Sequence, residues 1–195
     1  MAHESIMGNL ILTTCALRLM GFMLAYVGIG SNRGEALDNC RRAIRAITSD
    51  RRNRLAACSP FYKTEPVGKK DQDWFVNGVI ALTTDLPPRE LMDFLLAIEK
   101  EMGRERGERW GPRVIDLDIL FYGDQVLNEP GLQVPHPHLQ ERRFVLVPLK
   151  DIAPSLEHPL FGKTISQILA DLGEGEKVIP LLEAGQKPCL VSFST

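Results

Sequence analysis

The apolar positions of this chain change period several times, and each change marks an element. Leu24-Ala25-Tyr26-Val27-Gly28-Ile29-Gly30 is a compact apolar run that predicts a first strand. Ser31-Asn32 ends it, and Asn32 with Glu35 three residues on has the form of a helix capping box. Leu37, Cys40, Ala43, Ile44 and Ile47 then recur at helical spacing, with Arg41, Arg42 and Arg45 on the opposite, solvated face. Leu55 to Tyr62 predicts a second strand and Trp74 to Thr84 a third, joined by a polar loop over residues 63–73. Pro88 suits the first turn of a second helix, Leu91, Leu95, Ile98 and Met102 form its apolar stripe, and Gly103 ends it. Val114 to Tyr122 predicts a fourth strand.

The order β-α-β-β-α-β predicts an α/β (α+β) fold with a ferredoxin-like core. The two helices pack on one face of a mostly antiparallel sheet, and a C-terminal extension follows. Gly123-Asp124 turns the chain back through Gln125-Val126-Leu127, and a proline-rich loop, Val134-Pro135-His136-Pro137-His138, leads to Phe144-Val145-Leu146-Val147. Thr164 to Leu172 has the look of a short helix, and the patterning after it is weak. No linker divides the chain, so one domain is expected over residues 23–175, with 1–22 an N-terminal extension and 176–195 a C-terminal tail. The apolar stretch in the first residues is too short to span a bilayer and lacks the basic flank of a secretory signal.

The fourth strand carries the chemistry. Asp116 and Asp118 interrupt the apolar run Val114-Ile115-Asp116-Leu117-Asp118-Ile119-Leu120-Phe121-Tyr122. Side chains at i and i+2 share a strand face, so the carboxylates project side by side, roughly 6.5–7 Å apart at Cα. Two such charges repel each other and lose hydration, and a divalent cation is the simplest compensation. Oxygen-only ligands suit Mg²⁺. Immediately upstream, Gly103-Arg104-Glu105-Arg106-Gly107-Glu108-Arg109-Trp110-Gly111-Pro112-Arg113 is Gly-rich and polar and reads as a mobile loop with four arginines. An acidic pair for a hard metal beside guanidinium groups is what a polyphosphate substrate requires.

Composition narrows this. The 195 residues are 44% hydrophobic, enough for a core, and the net charge of −2 argues against general nucleic-acid binding. The four cysteines, Cys15, Cys40, Cys58 and Cys189, show no C-x₂-C spacing and read as free thiols of a reducing cytoplasm. Gly28-Ile29-Gly30-Ser31-Asn32-Arg33 begins like a dinucleotide fingerprint but lacks the third glycine, so tight strand-to-helix geometry is taken to explain its glycines. His136 and His138 have no zinc spacing and suit hydrogen bonds to phosphate or backbone, and one of Arg142 and Arg143 extends the anion site. Trp74, Phe75 and Asn77 can sandwich and read a flat heterocycle, although aromatics there would more often be core.

Arg109-Trp110-Gly111-Pro112-Arg113-Val114-Ile115-Asp116-Leu117-Asp118-Ile119-Leu120 resembles the signature of the 6-hydroxymethyl-7,8-dihydropterin pyrophosphokinase family of folate biosynthesis. Tyr26-Val27-Gly28-Ile29-Gly30-Ser31-Asn32, Phe61-Tyr62-Lys63-Thr64-Glu65-Pro66, Val76-Asn77, Val134-Pro135-His136-Pro137-His138 and Glu141-Arg142-Arg143-Phe144 support it. The resemblance implies ordered binding of MgATP and then the pterin, with two Mg²⁺ ions held by Asp116 and Asp118 and the transfer assisted by Arg104 and Arg113. It assigns Glu99, Arg106, Trp110, Ile119, His136 and Arg142 to ATP. Thr64, Pro66, Val67, Phe75, Asn77 and Phe144 go to the pterin. It also implies a cytoplasmic monomer with small-molecule substrates, no nucleic acid and no membrane. Two rivals stand beside it. An RNA-binding module needs an aromatic RNP1 strand and a basic surface, which are missing. A Mg²⁺-dependent phosphodiesterase would use the same aspartates without a heterocycle pocket.

Overall fold

A computed structural model describes residues 21–68, 70–104 and 111–181. The expected core order holds: β1 (Met23–Ser31), α1 (Ala36–Ser49), β2 (Asn53–Cys58) and β3 (Tyr62–Thr64), β4 (Phe75–Thr84), α2 (Pro88–Glu101) and β5 (Asp116–Tyr122). A hairpin of β6 (Leu127–Glu129) and β7 (Leu132–Val134) follows, then α3 (Arg143–Ile152), the short pair β8 (Glu157–His158) and β9 (Lys163–Thr164), α4 (Ile165–Leu172) and β10 (Val178–Pro180). The main sheet is antiparallel throughout and ordered β10-β3-β4-β1-β5, with β2 also paired to β4.

Strand alternation divides the core in two. Ala25, Val27, Ile29, Ile80, Leu82, Leu117 and Ile119 face α1 and α2, meeting Ile44, Ile47, Leu91 and Leu95. Burying each of the valine, leucine and isoleucine side chains contributes roughly 1.5–3 kcal/mol before entropy is counted. Leu24, Tyr26, Val79, Ala81 and Leu120 face the other way, onto Leu146 and Leu149 of α3 and Ile165 and Ile168 of α4. The two core helices therefore share one face, and the C-terminal extension covers the second.

Five local readings are corrected. The expected second strand breaks at Ser59-Pro60 into β2 and β3. Pro60 has no N–H for a ladder, and the Ser59 hydroxyl accepts from the Val79 N–H at 2.9 Å instead. Asn32 makes no capping box. The helix starts at Ala36 with Glu35 as its N-cap, without a side-chain cap bond. Gly28 and Gly30 lie inside β1, not at a tight turn. A Cβ on Gly30 would sit 2.5 Å from Asn77 Oδ1, so the glycine makes room for that amide. The domain boundary at 175 falls short of the sheet, because β10 pairs with β3. Cys40 is a buried free thiol, as expected, whereas Cys58 is disulfide-bonded. Among the described residues no helix is long and apolar enough to cross a membrane.

Met23 opens β1 opposite Thr84, and the contact from before it among the described residues is Arg54 over the Phe22 ring at 5.5 Å. Such an exposed cation–π contact is worth about 0.5–1 kcal/mol. A chain beginning at Met23 is expected to fold and to keep its melting temperature within a few degrees, as thermal unfolding would show. Insoluble protein would place residues 1–22 in the core.

Candidate active site

One row across the sheet organises the site. Gly30 pairs with Asp116 of β5 on one side and with Asn77 of β4 on the other, and Asn77 pairs with Tyr62 of β3. Directly paired residues share a sheet face, so Asp116 and Asn77 flank a bare glycine, two strand spacings or about 10 Å apart. Asp118 lies opposite Gly28 in the same way. The face is the one that α3 covers farther along, and the N-terminal end of α3 supplies Arg142, Phe144 and Val145 as the facing wall.

Between them is a cavity of about 300 Å³, lined on one side by Thr64, Val67, Phe75, Asn77 and Phe144 and on the other, charged side by Arg113, Asp116, Asp118, His136 and Arg142. A second cavity of about 580 Å³ meets it, sharing Asp118 and His136 and extending past Met92 and Ile119 to the β6–β7 hairpin. Both volumes suit small-molecule ligands.

Asn77 is 8% exposed, and its Nδ2 donates to Thr64 Oγ1 at 2.7 Å. Asn32 ties loops together: its side chain donates to Gln72 Oε1 and to the Asp73 carbonyl, both at 3.1 Å, and accepts from the Arg113 N–H at 2.7 Å. It thereby fixes the entry of β5 against the loop before β4.

The two carboxylates differ. Asp116 Oδ1 is paired with Arg104 Nη1 at 2.8 Å, and its Oδ2 with Arg113 Nη1. Asp118 has no hydrogen bond or ion pair among the described residues. Burial pushes its carboxyl up to about 6, and the charge of Asp116 adds to this while Arg142, Arg113 and Arg104 oppose it. An acceptor-only pair of carboxylates on one strand face fits a hard cation such as Mg²⁺. That ion commonly takes one or two protein carboxylates and completes its shell with water and phosphate oxygens. Among the described residues no third His, Cys, Asp or Glu joins the pair.

Glu99 lines neither cavity. It is 2% exposed, accepts from the Leu117 N–H at 2.7 Å and is paired with Arg104. Burial raises its carboxyl to about 7 against the pull of Arg104. Its place is behind the aspartate strand, holding β5 and Arg104. Pro66 is buried and lines neither cavity. Arg106 and Trp110 lie outside the described residues.

His136 and His138 separate clearly. Burial, with Arg142 nearby, lowers His136 to about 4, so the ring is neutral at pH 7. Its Nδ1 accepts from the His138 N–H at 3.2 Å, which puts its proton on Nε2 as a donor for a ligand oxygen. His138 is exposed and reaches Glu141 at 3.4 Å. Arg142 faces the cavity and stands 5.7 Å over the Phe144 ring, whereas Arg143 bonds the Gly173 carbonyl and leaves the site. Sequence reasoning missed Glu65 and Gln72 of the rim and the spacing role of Gly28 and Gly30. The alternate glycines inside an apolar strand were the available signal for the last two.

The sequence profile of the 7,8-dihydro-6-hydroxymethylpterin-pyrophosphokinase (HPPK) family matches residues 26–154. A Pseudomonas aeruginosa protein named 2-amino-4-hydroxy-6-hydroxymethyldihydropteridine pyrophosphokinase is 50% identical over 145 residues, 74% of this chain and 89% of that protein. A Synechocystis protein of the same name is 44% identical over 163 residues, 83% of each chain. Among solved structures, a Plasmodium falciparum HPPK-DHPS with pterin and p-hydroxybenzoate superposes with a TM-score of 0.62 at 15% identity, covering 77% of this chain. An HPPK-DHPS in complex with substrates gives 0.59 at 15% identity, covering 76%. This chain spans 43% of the length of each of those two solved chains, and the likeness to them concerns the fold.

Proposed function

The chain belongs to the 7,8-dihydro-6-hydroxymethylpterin-pyrophosphokinase family, and from that premise we propose how its own residues divide the reaction. The enzyme is an ATP-dependent diphosphotransferase of folate biosynthesis. It transfers the pyrophosphoryl group of ATP to the hydroxymethyl oxygen of 6-hydroxymethyl-7,8-dihydropterin, and the products are the pterin diphosphate and AMP.

The row Asp116–Gly30–Asn77 supports the division best, because it puts a charged end and an amide-bearing pocket on one sheet face at the reach of a bicyclic ring with a one-carbon arm. The pterin takes the smaller cavity. Phe75 and Phe144 hold its faces, Asn77 reads its amide edge, and Thr64, Pro66 and Val67 form and back the wall. ATP takes the larger cavity, with Ile119 along the base, the His136 Nε2 proton and Arg142 on phosphate oxygens, and Arg106 and Trp110 completing the nucleotide side. Glu99 serves this side through Arg104. Asp116 and Asp118 would hold two Mg²⁺ ions, which when bound neutralise phosphate oxygens and stabilise the transferring group. Arg104 and Arg113, which both bond Asp116, turn to the phosphates when the nucleotide enters. There they offset charge as it moves and exclude water, which limits ATP hydrolysis. We also assign the working state as a cytoplasmic monomer without nucleic-acid or membrane partners.

Incubation with ATP, Mg²⁺ and 6-hydroxymethyl-7,8-dihydropterin tests the whole. AMP and pterin diphosphate should form one to one, and no AMP should form without pterin. AMP released from ATP alone would favour the phosphodiesterase reading.

Substrate recognition has its own test. Asn77→Ala leaves polar groups of the ring unpaired in a dry pocket, at a cost of about 1–3 kcal/mol in pterin binding. The α,β-methylene analogue of ATP should bind unchanged, since Asn77 does not line the larger cavity. Separate titrations of the two ligands decide it, and equal losses for both would make Asn77 structural.

A further inference from the structure

The wall of the smaller cavity hangs on a very short strand. β3 has three residues, and the cavity residues Thr64 and Glu65 are its last residue and the one after it. On one side β3 pairs with β4, and on the other with β10, in the register Val178↔Thr64, Ile179↔Lys63 and Pro180↔Tyr62. The flanking bonds run Glu65 N–H to the Lys177 carbonyl at 3.2 Å and Leu181 N–H to the Phe61 carbonyl at 2.9 Å. The Glu65 carboxylate closes the corner, accepting from the Lys177 N–H at 3.3 Å with the Lys177 ammonium 3.9 Å away.

β10 adds little to the core. Val178 is half-buried, Ile179 is 48% exposed and Pro180 is exposed. The matched family region ends at residue 154, well before this strand. What β10 supplies is backbone pairing to the edge that carries Thr64. Thr64 in turn accepts from Asn77 Nδ2, while Asn77 Oδ1 points at the open side of Gly30. The bond to Thr64 ties one end of the amide to β3 and leaves the other end toward Gly30.

We propose that β10 is a positioning element for the heterocycle pocket: by pairing with β3 it holds Thr64 and Glu65 in place and so sets the orientation of the Asn77 amide. This rests on the smaller cavity being the pterin site. Bonded pairs at 65·177 and 61·181 make 63·179 the bonded pair between them, because such pairs alternate in an antiparallel ladder. Ile179 therefore donates its N–H to β3, and Pro180 sits where no donor is needed.

The test uses the full chain with Ile179→Pro, which deletes that donor, and Ile179→Thr, which keeps it on an equally exposed side chain. The α,β-methylene analogue of ATP is titrated with Mg²⁺ alone, and 6-hydroxymethyl-7,8-dihydropterin is titrated at saturating analogue. Ile179→Pro should weaken pterin binding about tenfold, the scale of one backbone bond, and leave analogue binding within about twofold. Ile179→Thr should match the wild type, and in turnover Ile179→Pro should raise the pterin KM more than it lowers kcat. Unchanged pterin affinity, or equal losses for both ligands, would overturn the proposal. Wild-type protein that binds the analogue and no pterin would overturn instead the assignment of the cavity. If Ile179→Pro does not fold, Lys177→Pro takes its place. It removes the N–H bond to the Glu65 carboxylate and the exposed Lys177 ammonium beside it, keeps the Lys177 carbonyl that Glu65 bonds, and should weaken pterin binding about threefold, with the same outcomes deciding.

Discussion

Asp116→Asn and Asp118→Asn should each slow single-turnover AMP formation on the order of 10³-fold or more, because each removes a charged oxygen ligand from the proposed metal clamp. The two variants should differ in stability. Burial and the Asp116 charge raise the Asp118 carboxyl to about 6. An acid raised on folding contributes stability that is fully present below its unfolded value, near 3.9, and lost as pH rises through its folded value. Above pH 6 the charged Asp118 is therefore a cost in metal-free protein, and Asp118→Asn should unfold no earlier than wild type at pH 7 in EDTA. Asp116 accepts from Arg104 and Arg113, so Asp116→Asn leaves two guanidinium groups without their shared anion and should unfold earlier. Rapid-quench kinetics and thermal unfolding check the two halves separately. Near-normal AMP production by either variant would remove the aspartates from catalysis.

Arg113→Ala should lower the chemical step roughly 10²–10³-fold while MgATP affinity falls much less, because a guanidinium aimed at the phosphates matters most as charge shifts during transfer. The substitution keeps the Arg113 N–H that bonds Asn32, so the loop junction survives. Arg104→Ala should slow the step similarly and also lower stability above pH 7. Glu99 is buried beside Arg104, and without that partner its carboxylate must take up a proton or stay buried and uncompensated. Single-turnover rates measured at saturating MgATP separate the effects. Intact rates with only weakened nucleotide binding would reduce both arginines to binding groups.

Much of the site was legible because its signals are local. Asp116 and Asp118 stand two apart in an apolar run, and strand geometry alone puts them on one face. Pro88 and Gly103 bracket α2 as their backbone preferences dictate, and Thr164 caps α4 where the periodic pattern begins. Asn32 misled for the opposite reason. Its spacing to Glu35 satisfies the capping pattern, yet its partners come from Gln72, Asp73 and Arg113, 40, 41 and 81 positions away. Glu99 reads equally well as a nucleotide contact or as a buried anchor until the distance to Leu117 is known.

The sequence by itself determined the element order, the βαββαβ core, the acidic pair and the arginine-rich approach to it, because each depends on residue type and on a repeat of two or about 3.6 positions. Tertiary structure decided the rest. It chose which carboxylate the arginines neutralise, turned His136 inward and His138 outward, sent Arg142 to the cavity and Arg143 to Gly173, and joined β10 to the pocket wall. It also made Gly30 the space between Asp116 and Asn77. These outcomes depend on register between strands and on packing between segments far apart in the chain, and such pairings leave no period in the sequence from which to read them.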